Sequence, residues 1–225
     1  MSRLSDRGRT CTIAVAGSDW PERLERTPTE ATPRGARVRF VIDDALVRYL
    51  RVIWPHGISN DAEREAFVRH RHREAFGADG GAIAWDRDAI DEPALTVAIP
   101  GELVEALREL CVARRLRMIS LRPALVDAFN RHRRALSGPA GALARYGQGR
   151  CTLAIWQRGL WQAVRGGACG PGDTVIPSAL LRQVLAGCNP IPAAGTLYVL
   201  GMGAAPAMPP LPEGWGVKWL PEAVA

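Results

Sequence analysis

Apolar and polar positions alternate at a spacing of two between residues 37 and 42. There Val38, Phe40 and Ile42 interleave with Arg37, Arg39 and Val41. That period predicts a half-buried strand. Asp43-Asp44 reads as a turn. Residues 46–54, dense in Val, Ile, Tyr and Trp, read as a second strand that completes a hairpin and stops at Pro55. The period then lengthens. Asn60 or Asp61 can cap a helix running to Phe76, with Glu63 supporting the cap and Ala62, Ala66, Phe67 and His70 on one face. Gly77, Gly80 and Gly81 end it, and residues 83–85 and 94–99 are two further short strands.

The clearest helical stripe follows Pro100-Gly101. Leu103, Leu107, Leu110 and Cys111 recur at helical spacing, with Glu102, Glu105, Arg108 and Glu109 outside. A strand at 117–121 and a helix from Pro123 to Leu136 come next, the latter with Leu125, Phe129 and His132 inward. Residues 137–141 are a small-residue break and mark the boundary between two lobes. Beyond it, 143–146, 151–157 and 160–165 read as strands joined by glycine turns, with Arg158-Gly159 a strong hairpin signal. A glycine-rich loop (166–174), a helix (178–186) closed by Gly187 and a core strand (196–200) follow. Residues 202–216 are rich in Pro and Gly, and 217–220 can add an edge strand. Residues 11–16 form an early strand, and 21–35 a polar linker. The chain divides into an N-terminal strand and linker (1–36), a first α/β lobe (37–136) and a smaller second lobe with its tail (142–225). Each lobe is expected to carry one mixed sheet.

Composition narrows the classes. Of 225 residues, 47% are hydrophobic and 23% charged, which suits a globular protein rather than a disordered one. The net charge is +6, but the arginines alternate with acids, as in Asp61-Ala-Glu-Arg-Glu65. Specific nucleic-acid binding is therefore not expected; a basic binding domain would need a contiguous arginine stripe. The five cysteines include no CxxC pair, so reduced thiols are expected rather than disulfides or zinc. Residues 1–10 lack the apolar core of a secretory signal, and no apolar run reaches about 18 residues. The expectation is a soluble, cytoplasmic protein that reaches the inner membrane, if at all, through a partner.

Three segments carry a resemblance. The first is Arg37-Val-Arg-Phe-Val-Ile-Asp-Asp-Ala-Leu-Val-Arg-Tyr-Leu-Arg-Val-Ile-Trp-Pro55 with the helix after it. The second is Leu95-Thr-Val-Ala-Ile-Pro-Gly-Glu-Leu-Val-Glu-Ala-Leu-Arg-Glu-Leu110, then Leu116-Arg-Met-Ile-Ser-Leu-Arg-Pro-Ala-Leu125. The third is Cys151-Thr-Leu-Ala-Ile-Trp-Gln-Arg-Gly-Leu-Trp161. In this order, over residues 37–200, they resemble the actin-like proteins of type IV pilus and type II secretion assembly platforms, the PilM and GspL families. The resemblance implies a two-lobed α/β fold of actin-like (RNase H-like) mixed sheets with flanking helices. It also implies a scaffold or adaptor that binds protein partners of such a platform.

One departure qualifies that picture. Nucleotide-binding members carry an acid on a phosphate loop in each lobe. The second-lobe equivalent, Leu143-Ala-Arg-Tyr-Gly-Gln-Gly-Arg150, has glycines but no acid, and Arg145 and Tyr146 stand where it is expected. In the first lobe, Ala14-Val-Ala-Gly-Ser-Asp19 is a possible loop with its acid after the turn. No catalytic residue, metal site or cofactor is expected; ATP would bind only if the actin-like cleft were functional.

The other candidates each have a plain rival. Asp43-Asp44 could join Asp86, Asp88 and Asp127 as a metal-binding set of a nucleotide or phosphodiester hydrolase, the rival reading being a turn. His70-Arg-His72 has the wrong spacing for a helical metal pair, so solvated or capping histidines are expected. Gly166-Gly-Ala-Cys-Gly-Pro-Gly172 could hold phosphate or a reactive Cys169, against a flexible loop. Trp54, Trp85, Trp156 and Trp161 are expected in the core or on sheet faces. Trp215 and Trp219 are candidates for an exposed interface, with packing onto their own domain as the alternative.

Overall fold

The structure is a computed structural model. It describes residues 10–17, 19–22, 34–77, 81–85, 92–147, 149–169, 176, 178–200 and 210–221. Three sheets organise these residues. The first is parallel, in the order β1 (Thr10–Val15), β2 (Arg37–Ile42), β6 (Arg117–Pro123). The second is antiparallel, in the order β3 (Arg48–Val52), β5 (Ala94–Ile99), β4 (Ala82–Trp85). The third runs β11 (Trp215–Trp219), β10 (Gly195–Leu200), β7 (Ala140–Gly147), β8 (Arg150–Gln157), β9 (Leu160–Ala168). It is parallel from β11 to β7 and antiparallel from β7 to β9. Helices among the described residues include α1 (Asp61–Phe76), α2 (Gly101–Ala113), α3 (Ala124–His132) and α4 (Ser178–Ala186). Among the described residues, no helix is long and apolar enough to cross a membrane.

Strand β2 follows its alternation: Val38, Phe40 and Ile42 are fully buried, and Arg37 is exposed. They meet Leu103, Val104, Leu107 and Cys111 of α2. Full burial is worth roughly 1.5–3 kcal/mol for each large apolar side chain. Leu107→Ala would open a cavity there at a cost of about 2–5 kcal/mol.

The expected hairpin does not form. β2 pairs with β1 and β6, whereas β3 pairs with β5 in another sheet. Asp43 and a 3-10 turn over Asp44–Leu46 carry the chain between the two sheets. Residues 37–136 thus hold two sheets rather than one, and β1 joins the first of them.

Helix α1 begins as its sequence predicts. The Asn60 side chain accepts from the Glu63 amide (2.9 Å), the Glu63 carboxylate accepts from the Ser59 amide (2.8 Å), and Gly77 closes the helix in the left-handed region. Its buried face is not the expected one. Val68 and His72 are buried and Phe67 is partly so, while Ala62, Ala66 and His70 are exposed. Charges surround this helix, so apolar spacing says little, and its partner sheet decides the face. His72 Nε2 lies 2.8 Å from the Thr96 hydroxyl, which itself donates to the Leu50 carbonyl at 2.8 Å.

In the third sheet, β7 is covered on both faces. α4 supplies Leu180, Leu181 and Val184 to one side. On the other, Leu125 and Phe129 of α3 and Leu95 of β5 pack against Leu143, Trp156 and Tyr198. The two lobes therefore share an apolar seam. Gly141 is the cross-strand partner of Trp156, and a Cβ there would sit 2.4 Å from the indole. The glycine is needed so that this ring can lie flat across the neighbouring strand.

Candidate functional site

The end of β2 and the middle of β7 meet at a buried ionic cluster. Asp43 and Asp44 follow β2, and Arg145 comes from β7, about a hundred residues later. Its guanidinium Nη1 is 3.2 Å from Asp44 Oδ2 and 3.6 Å from Asp43 Oδ2. The two carboxylate side chains are 3% and 5% exposed and the Arg145 side chain 24%, so water screens the pair weakly. Asp44 Oδ1 also accepts from the Tyr49 hydroxyl at 2.5 Å and from the Leu125 amide at 3.0 Å. Leu125 is the second residue of α3, whose N-cap, Pro123, makes no side-chain cap bond. Asp44 thus caps that helix from a distant part of the chain and places its charge at the positive end of the helix dipole. Asp43 Oδ1 accepts from the Ala45 amide at 2.9 Å.

Burial pushes the Asp44 carboxyl above its ordinary range, opposed by Tyr49, Arg145 and the Leu125 amide. Burial also drives the Tyr49 hydroxyl well up, and the neighbouring Asp44 charge drives it further. Tyr49 therefore stays a donor. A Cβ at Gly147 would lie 3.1 Å from the Arg145 guanidinium and 3.3 Å from Asp43 Oδ2, so the missing side chain leaves room for the cluster.

The fold gives each candidate residue a definite place. Asp43-Asp44 is a turn that also pairs across the lobes. These acids face the second-lobe strand. Arg145 faces them; Tyr146, one residue on, points into the opposite core beside Cys151. Asp127 is bound to Arg131 on its own helix. Asp86 and Asp88 lie outside the described residues. Among the described residues, no three His, Cys, Asp or Glu side chains converge as a metal site.

His70 is exposed and reaches Glu74 at 3.4 Å. His72 is fully buried, which corrects its reading as solvated. Cys169 is partly buried against the core under α4, and residues 170–172 of its glycine-rich segment lie outside the described set. Burial pushes the adjacent Cys151 thiol up to about 12, which leaves it protonated and inert at neutral pH. Trp215 and Trp219 are partly buried on that same core, and the Trp215 indole donates to the Pro192 carbonyl at 3.1 Å. Packing onto their own lobe takes up most of what an exposed pair would offer.

Beside the cluster lies a cleft of about 380 Å³. β3, the end of α1, and β8 and β9 line it, with Asp44, Arg48, Phe76, Arg150, Val164 and Arg165 prominent. Sequence reading missed Tyr49 and these three arginines. Each sits on an ordinary strand, and only the meeting of the lobes brings them together.

No family model matches the chain, and no curated protein matches it in sequence. Solved structures do match it. One is the cytoplasmic domain of EpsL, an inner membrane component of the type II secretion system of Vibrio cholerae, at 12% identity and a TM-score of 0.60, covering 96% of this chain and 90% of that one. Another is the PilM–PilN type IV pilus biogenesis complex, at 14% identity and 0.52, covering 80% and 67%. A third is a Bacteroides thetaiotaomicron VPI-5482 protein with an actin-like ATPase fold and unknown function, at 11% identity and 0.50, covering 81% and 68%. At these identities the likeness is one of fold, and the chain has the actin-like α/β fold that the order of its segments implied.

Proposed function

We propose that this protein is a non-catalytic, actin-like scaffold of an assembly platform of the type IV pilus or type II secretion class. It would act in the cytoplasm, at the inner membrane, by holding protein partners. The observation that carries the reading is the Arg145–Asp43/Asp44 cluster. A magnesium–phosphate site needs uncompensated carboxylates facing the cleft. Here an arginine charge meets those carboxylates, and amide and hydroxyl donors occupy their oxygens. The apolar seam between the lobes supports the same reading, because an enzyme that opens and closes around nucleotide needs lobes that can part. Likeness of fold to EpsL and PilM supports the platform class, although fold by itself does not assign function.

The rival reading is a nucleotide-binding or phosphodiester-hydrolysing enzyme of the same fold. Two measurements separate them. Calorimetric titration of the full chain with Mg-ATP is expected to give no heat of binding at micromolar concentrations. Affinity purification of the tagged chain from its own cells is expected to bring down platform proteins. Micromolar Mg-ATP binding would overturn the non-catalytic assignment. Recovery of no pilus or secretion component would overturn the platform assignment.

A further inference from the structure

The cleft beside the ionic cluster has a charge of its own. Asp44 is the carboxylate in its lining, and Arg145, Tyr49 and the Leu125 amide already meet it. Arg48, Arg150 and Arg165 line the same cleft, and among the described residues none has an acidic partner. Two of the three are held in place. The Arg48 guanidinium lies 5.9 Å over the Phe76 ring. The Arg165 guanidinium donates to the Val164 carbonyl at 2.8 Å. Arg48 and Arg165 are exposed and Arg150 partly so, which leaves their charge accessible from water.

The walls are not only basic. Val47, Leu50, Phe76 and Val164 form an apolar side, and Phe76 is 42% exposed. β3 and β9, which both contribute to its lining, are edge strands of their sheets. A small phosphate has no use for an apolar wall. A chain with carboxylates on one side and apolar residues on the other matches both features.

We propose that this cleft docks an extended acidic segment of a partner protein. Asp or Glu side chains pair with Arg48, Arg150 and Arg165, and an interleaved apolar residue packs on Phe76 and Val164. Arginine suits the task because its planar fork binds carboxylates in bidentate fashion. The inference deepens the scaffold reading and rests on it for the choice of a protein occupant.

The test is fluorescence anisotropy of a labelled peptide of alternating Glu and Leu, titrated with the full chain. The controls are a peptide with Lys in place of Glu, and competition by Mg-ATP and by tripolyphosphate. Wild type is expected to bind the acidic peptide and not the basic one. R48A/R150A/R165A is expected to lose at least tenfold in affinity. R48Q/R165Q, which touches only the two exposed arginines, guards against a misfolded triple variant and is expected to lose severalfold, with its melting temperature unchanged. No binding, or equal binding by R48Q/R165Q and wild type, overturns the proposal. Displacement of the peptide by tripolyphosphate at a lower concentration than by unlabelled peptide also overturns it and makes the cleft a polyphosphate site. Purification from cells separates this failure from that of the scaffold reading. Platform proteins recovered equally with R48Q/R165Q leave the scaffold standing and remove the cleft from it.

Discussion

Arg145→Met is the sharpest perturbation of the buried cluster. Methionine keeps most of the stem and removes the charge. Two carboxylates, 3% and 5% exposed, then lose their cation. Removing one partner of a buried pair costs about 3–5 kcal/mol. Arg145 is 24% exposed, and Asp44 retains Tyr49 and the Leu125 amide, so the lower part applies. A loss of about 3 kcal/mol is expected, which for a chain of this size lowers the melting temperature by about 6–12 °C. The sign with pH is the stronger test. Arg145 lowers the Asp44 pKa in the folded protein, so its removal raises that pKa further. The folded variant then binds more protons than its unfolded chain, and its stability rises as pH falls toward the raised pKa. The gap between variant and wild type should narrow from pH 7.5 to pH 5, read by urea unfolding at each pH. Asp44→Asn on the Arg145→Met background should recover at least about 1 kcal/mol, since it removes the stranded charge. A gap that stays constant with pH, together with additive single and double variants, would refute the claim that these charges are buried and coupled.

Other consequences follow from the same packing. Thr96 donates to Leu50 and so receives its bond from the His72 ring, which leaves His72 Nδ1 buried with no partner among the described residues. Burial lowers the His72 pKa, so its contribution is complete above about pH 6.5 and is lost as pH falls toward the folded value; His72→Gln should flatten that part of the stability–pH curve. Burial lowers His132 as well, so the comparison is variant against wild type and not the raw slope. Gly141→Ala puts a methyl 2.4 Å from Trp156, whose ring is held by Phe129, Trp161 and Tyr198. It should cost about 1–3 kcal/mol and shift the tryptophan emission; an unchanged melt would mean that the seam yields. Gly147→Ala should loosen the Arg145 cluster only mildly, because the clash is with flexible side-chain ends, and its melting temperature should fall by less than that of Arg145→Met.

Local signals in the chain were legible wherever one residue's neighbours decide its state. The Asn60 cap, the α2 stripe and the alternation of β2 are of that kind, and so is the Arg158-Gly159 turn, where both residues have positive φ. What could not be read is set by distant partners. Asp43-Asp44 is a good turn by composition. Whether the next strand returns beside β2 or leaves for another sheet depends on β5, some fifty residues later. The same limit hid His72: α1 carries charge on most of its surface, and Thr96 selects the buried face. At the candidate site the sequence showed that an acid was missing at Arg145. It could not show that the arginine answers Asp43 and Asp44, because the lobes must close before the three side chains share a space.

That pairing changes the physics of the fold's central cleft. Two acids facing each other across a cleft repel, and the repulsion is relieved by a bound cation with its phosphate, so closure follows ligand. An arginine opposite the acids is relieved by closure alone. Tyr49 and the α3 amide then satisfy what the guanidinium leaves over. On the proposed reading the lobes need no ligand to stay shut, and the seam of Leu125, Phe129, Trp156 and Tyr198 adds apolar burial to the same end. On the proposed reading, the chain has exchanged a cycle of opening and closing for a fixed shape. Such a shape suits a protein whose task is to hold others at a set position. The arginines left over at the rim, which closure does not use, are then the place where that holding would begin.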